Sequence, residues 1–99
     1  MPNAILLFQN KAPLPGGRII EIILWLLPEP LPGSSHNYKY RLHYGYLDGE
    51  CIVRYDNERG KGDHRHFEGK ESPYHFKNIE TLQADFHADI RRHNERQRL

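Results

Sequence analysis

The chain has a single cysteine, Cys51, in 99 residues. That excludes an internal disulfide and a cysteine-based zinc site, and it suits a reducing compartment. An excess of one charge sign is missing too: 14 Lys plus Arg stand against 13 Asp plus Glu, for a formal net charge of +1. A generally basic nucleic-acid binder is therefore not indicated, although local basic patches remain open. No apolar run reaches membrane length. The longest, "RIIEIILWLL" from Arg18 to Leu27, is too short to span a bilayer and contains Glu21. Met1–Gln9 is short and lacks the basic n-region of a signal peptide, so it does not read as one. The "PGG" at Pro15–Gly17 lacks the Lys-Ser/Thr that would make it a phosphate loop, and reads as a turn. There is no internal repeat and no low-complexity tract.

What is present suits one domain over residues 1–99, with a thin core. An apolar content of 37% is enough to fold, and 27% charged residues predict solubility. Ala4–Phe8 reads as a first strand. Lys11–Gly17, with two prolines and a glycine pair, reads as a turn or loop. Ile19–Leu27 reads as a strand apolar on both faces: Ile20, Ile22, Leu24 and Leu26 on one, Ile19, Ile23, Trp25 and Leu27 on the other. Such a strand must be covered on both faces. Pro28–Asn37 is a loop. Tyr38–Leu47 alternates, with Tyr38, Tyr40, Leu42, Tyr44 and Tyr46 on one side.

Asp48-Gly49 is a two-residue hairpin signal. It sets Leu47 opposite Glu50, Tyr46 opposite Cys51, Tyr44 opposite Val53 and Leu42 opposite Tyr55. The other face then pairs His43 with Arg54 and Arg41 with Asp56. A second turn centred on Gly60-Lys61 would set Tyr55 opposite His66, Asp56 opposite Arg65 and Asn57 opposite His64. Phe67 continues that strand, Glu68–Pro73 turns, and Tyr74–Phe76 forms a last short strand. Asn78 is a helix N-cap, and Ile79, Leu82, Phe86, Ile90 and His93 share one helical face. A basic tail through Arg96 and Arg98 follows. The expected fold is α+β: an antiparallel sheet of about four to five strands, spanning Ile19–Phe76 with the Ala4–Phe8 first strand added, and one C-terminal helix, Ile79–His93, on one face.

 

The stretch "RYDNERGKGDHRH", Arg54–His66, concentrates the chemistry. It has no aliphatic residue, and it carries histidines, arginines, a lysine and carboxylates around Gly60 and Gly62. His64 and His66 form an H-x-H on a strand, so both rings project to one side. Histidine titrates near neutrality. RNA cleavage needs one proton taken from the 2′-OH and one given to the leaving oxygen. His64 and His66 are the candidate base and acid, with Arg54 holding the developing charge. Lys61, Arg65 and Tyr55 are the candidates for binding substrate. On this scheme Arg54, Lys61, His64 and His66 share a cleft at the open end of the sheet. The structural alternative has the histidines capping the sheet end through Tyr55 or Asp63.

A zinc site from His64, His66, His75 and Asp63 matches no known ligand spacing, so the expectation is no metal and no cofactor. Arg41, Asp56 and Arg65 read as a structural ion ladder. The tyrosine stripe reads as the surface under the helix, with base stacking as the alternative. His36, His43, His87 and His93 read as incidental. The basic tail is either a solvated helix end or a phosphate-backbone contact.

The segment "YKYRLHYGYLDGECIVRYDNERGKGDHRHFEGKESPYHF", followed by "LQADFHADI", resembles the TumE family of toxins from toxin–antitoxin pairs. The carriers are "RYDN" at Arg54–Asn57, "GKGDHRH" at Gly60–His66 and "YHF" at Tyr74–Phe76, within a resemblance over about residues 19–91. It implies a small cytoplasmic toxin neutralised by a helix-turn-helix antitoxin. It assigns no catalytic residue. Two functions follow: a metal-independent ribonuclease acting on RNA through His64 and His66, or a non-enzymatic protein that blocks a target or acts through its antitoxin complex. The doubly apolar Ile19–Leu27 strand also predicts a second cover, either another copy of the chain in a homodimer or the antitoxin.

Overall fold

Alternating strands, joined by short turns except for the longer segment 27–37, produce a meander. The computed structural model describes residues 3–97. Its elements are β1 (Ile5–Leu14), β2 (Arg18–Leu26), β3 (Tyr38–Tyr46), β4 (Cys51–Glu58), β5 (Gly62–Phe67), β6 (Lys70–Pro73) and α1 (Ile79–Gln97). The strands form one six-stranded antiparallel sheet in chain order. The fold is α+β, with β6 taking the sheet beyond the expected four or five strands. No helix among the described residues is long and apolar enough to cross a membrane.

The helix and the tyrosine stripe meet as expected. Ile22, Leu24, Tyr40, Leu42, Tyr44, Val53 and Tyr55 pack with Leu82 and Phe86 of α1. Burying a tyrosine requires a partner for its hydroxyl. Tyr40 donates to Asp63 Oδ2 at 2.5 Å, Tyr44 to Asn94 Oδ1 at 3.1 Å and Tyr55 to Asp89 Oδ2 at 2.6 Å. Burial, reinforced by these carboxylates, pushes the Tyr40 and Tyr55 hydroxyls well above the usual tyrosine range. The helix starts where Asn78 caps it: its Oδ1 accepts the Thr81 amide at 2.7 Å. It runs past His93 to Gln97, and Arg96 bonds Glu68 in the β5–β6 turn. Arg98, in the basic tail, lies outside the described residues.

Four expectations about local structure are corrected. β1 continues through Lys11, Ala12 and Pro13 to Leu14, so the loop shrinks to Pro15–Gly17. Pro13 is tolerated because β1 is an edge strand, where a missing amide donor breaks no ladder bond. The β3–β4 turn holds three residues: the Gly49 amide donates to the Tyr46 carbonyl at 3.0 Å and the Tyr46 amide to that of Glu50 at 2.9 Å. A bulge then places Gly45, not Tyr46, opposite Cys51, while Tyr44–Val53, Leu42–Tyr55, His43–Arg54 and Arg41–Asp56 pair as expected.

The β4–β5 register is shifted by one residue: Tyr55 faces Arg65, Arg54 faces His66 and Asp56 faces His64. The loop is Arg59-Gly60-Lys61, centred on Gly60 rather than between Gly60 and Lys61. Gly60 is anchored from outside the hairpin, its amide donating to the Pro32 carbonyl at 2.7 Å. Last, Glu68-Gly69 alone makes the next turn, with both residues at positive φ (49° and 86°). That converts Lys70–Pro73 into β6 and leaves Tyr74–Phe76 outside the strands.

β2 is hydrogen-bonded to a neighbour on each side. Of the large apolar side chains that stay in solvent, Ile5, Leu6, Leu7 and Phe8 lie together on its neighbour β1, 44–55% exposed, and Leu47 stands apart in the β3–β4 turn. Leu27 and Leu31, in the segment after β2, are buried.

Candidate functional site: a titratable ladder on the open face

Because side chains alternate across a strand, the residues between the tyrosines of β3 point away from α1. Register carries that face across the sheet. Lys11, Glu21, His43, Arg54, His66 and Glu71 stand in one continuous rung over all six strands. The next rung on the same face is Gln9, Ile23, Arg41, Asp56, His64 and Pro73. Charged and titratable groups therefore form a band across the open face, with His43, Arg54 and His66 at its centre.

Hydrogen bonding gives each imidazole a polarity. A guanidinium can only donate. Arg54 Nη2 lies 3.0 Å from His66 Nε2, so that nitrogen accepts and carries no proton. A carbonyl can only accept. His64 Nε2 lies 2.9 Å from the Lys61 carbonyl, so that nitrogen is protonated. Glu71 stands 3.6 Å from His64 Nδ1 and 3.8 Å from His66 Nε2.

Arg54 Nε lies 3.4 Å from Asp56 Oδ2, close enough for ion pairing, but the angle does not make a hydrogen bond and the atom is buried without a partner. His43 is 4% exposed and its Nδ1 is buried unpartnered. Burial, with the Arg41 and Arg54 guanidinium groups outweighing Glu21, lowers its pKa below the ordinary histidine value.

The expected site divides between two faces. Arg54, His64 and His66 share the open face. Tyr55 faces α1, as its pairing with Leu42 had set, and the one-residue shift turns Arg65 to join it while turning His64 and His66 to the open face. Arg65 grips Asp89 of α1 with two bonds, Nε to Oδ2 at 2.7 Å and Nη2 to Oδ1 at 2.8 Å, and its Nε also meets the Tyr55 hydroxyl at 3.0 Å. The expected Arg41–Asp56–Arg65 ladder is therefore absent: Asp56 stands between Arg41 and His64. Lys61 sits in the β4–β5 turn with its ammonium 3.6 Å from Glu58, and only its carbonyl reaches the histidines.

Asp63 is turned to the helix side, held by His36 at 2.8 Å and by Tyr40. His75 is exposed, and among the described residues no group of three or more His, Cys, Asp or Glu is placed to hold a metal ion. His93, read as incidental, bonds Glu68 through Nδ1 at 2.7 Å and ties the helix end to the β5–β6 turn. His43 is the residue that sequence reasoning passed over. Its signal was its place opposite Arg54, which the β3–β4 register had already supplied.

These features define a class: a small α+β protein in which one helix covers one face of an antiparallel meander and the other face presents a histidine–arginine band. The chain belongs to the family described as Toxin TumE, whose model matches residues 8–94. The match begins within β1, earlier than the resemblance over residues 19–91 had reached, and it implies an antitoxin partner. Comparison with curated proteins and with solved structures gives no match.

Proposed function

We propose that this toxin is a metal-independent ribonuclease whose base and acid are His66 and His64. The observation that carries the reading is the opposite polarity of the two neighbouring imidazoles: His66 Nε2 accepts, His64 Nε2 donates. In RNA cleavage, the unprotonated His66 nitrogen takes the 2′-OH proton as the 2′ oxygen attacks phosphorus. Protonated His64 gives its proton to the departing 5′ oxygen. Arg54 bonds a phosphate oxygen and in doing so releases His66 Nε2, which it occupies in the free protein. Lys61, at the exposed turn beside His64, meets a neighbouring phosphate. Arg65 and Tyr55 serve this reading as positioning residues, fixing the β4–β5 hairpin on α1. The RNA target places the activity in the cytoplasm, with all of residues 1–99 acting as one domain and no cofactor required.

The test is induced expression in a bacterium with RNA integrity as the readout. Wild type should fragment RNA and the His64→Ala, His66→Ala double variant should not. In vitro, activity should follow a bell-shaped pH profile around neutrality and persist in EDTA. Growth arrest with intact RNA would refute the enzyme and leave the second reading, a toxin that blocks a target by binding it. What supports that second reading is the exposed apolar edge from Ile5 to Phe8. The same edge is the surface proposed for a helix-turn-helix antitoxin or a second copy of the chain. It adds to the Ile19–Leu27 strand proposed for that role: β2 is paired along both edges, which leaves its open face, with Ile19, Ile23 and Trp25, for such a partner. Sedimentation of the isolated chain distinguishes the two occupants: a monomer at high concentration excludes the homodimer.

A further inference from the structure

We infer that the groove walled by Ala4, Trp25, Leu27 and Lys39 is a subsite for a nucleobase of single-stranded RNA. The inference rests on the ribonuclease reading for the identity of its ligand. The groove, of about 320 Å³, opens beside the only tryptophan in the chain. Its volume falls within the range of small-molecule pockets. Trp25 pairs with Lys39 across the β2–β3 ladder, and by alternation both face away from α1, on the face that carries His43, Arg54, His64 and His66.

Charge complementarity selects the occupant. Lys39, Arg41 and His43 project from alternate positions of β3, each about 6.6 Å from the next, a step that suits successive phosphates of an extended single strand. Lys39 donates to the Asn57 carbonyl and keeps two further N–H donors. Arg41 is 43% exposed and only 3.8 Å-paired with Glu21. Asp56, the other acid in this part of the face, is taken up by Arg54. A strand whose scissile phosphate lies at Arg54 and His66 thus passes Arg41 and reaches Lys39. There the adjoining base meets an indole, and stacking on an aromatic face is how proteins hold unpaired bases. The groove therefore selects single-stranded substrate, since a base inside a duplex cannot enter it.

Because Trp25 is the sole tryptophan, its emission reports on this groove directly. The probe is a ten-residue single-stranded oligodeoxynucleotide, which lacks the 2′-OH and cannot be cleaved. It should quench the full chain saturably. An abasic decamer of equal charge and the matching duplex should not. In the active toxin, Trp25→Ala should raise KM for a short RNA about tenfold and leave kcat within about twofold. Lys39→Gln should raise KM and weaken quenching while leaving the indole in place, which keeps the test open if Trp25→Ala fails to fold.

Quenching by the oligonucleotide in a toxin that cleaves no RNA would uphold the subsite and refute the catalytic reading. RNA cleavage with no quenching and an unchanged KM in Lys39→Gln would overturn the subsite alone. Emission that responds to the antitoxin and not to the oligonucleotide would also overturn it and make the groove a protein interface.

Discussion

Replacing Arg65 with methionine should cost the fold about 3 kcal/mol. Asp89 has a side chain only 4% exposed, and Arg65, at 28%, supplies two of the bonds that make its charge tolerable there. Methionine keeps the apolar contact over the Phe67 ring, now made by the guanidinium at 5.0 Å, so the loss is mainly that of charge pairing. Removing one member of a buried pair strands the other. The expected cost sits at the low end of the usual range because the Tyr55 hydroxyl and Arg92 still reach Asp89, at 2.6 and 2.8 Å.

Urea denaturation should show a lower midpoint at unchanged slope, and the melting temperature should fall by about 12 °C or more. The Arg65→Met, Asp89→Leu double variant should recover most of the loss, because an apolar pair leaves no buried charge. Toxicity of that refolded variant then reports whether Arg65 also touches substrate. The pH dependence has a fixed sign. Burial raises the Asp89 carboxyl, but bonds from Arg65 and Tyr55 outweigh it and leave the pKa below the usual value. The contribution is therefore present above about pH 4 and lost as pH falls through the folded-state pKa. A cost below about 0.5 kcal/mol for Arg65→Met, or a double variant no better than the single, would refute the reasoning.

His43 should make stability fall as the pH drops below about 6.5, because the unfolded imidazole takes a proton before the folded one does. His43→Gln should flatten that slope in urea titrations between neutral and mildly acidic pH, and an unaltered slope would show that the ring is not held neutral. Gly45→Ala should cost about 2 kcal/mol or more, since its Cβ would stand 2.1 Å from the Glu50 carbonyl oxygen and 3.0 Å from His43 Nε2. A melting temperature within about 2 °C of wild type would mean that the β3–β4 hairpin end yields freely.

Local periodicity was enough to assign several elements. The alternation of β3 identified the tyrosine face, and complementary apolar faces set the register from Arg41–Asp56 to Tyr44–Val53, as found. Asn78 marked the start of the helix, and the spacing of Leu82 and Phe86 marked its buried side. The Arg54–His66 segment was legible as a cluster of functional groups, and its resemblance to a toxin family was carried by the same residues. Their division between two faces was not legible. Glycine-flanked turns close with two or three residues at little difference in local energy, and each choice turns over every side chain beyond it.

The choice at Gly60 depends on Pro32, and the place of Arg65 depends on Asp89, 24 residues away in the helix packed on the sheet. The length of β1 depends on its edge position, which makes Pro13 harmless. Periodicity encodes which side chains share a face, because it is a property of neighbouring residues. Which face carries the chemistry, and which charges are spent holding the fold, depend on partners distant in the chain, and only the assembled sheet and helix decide them.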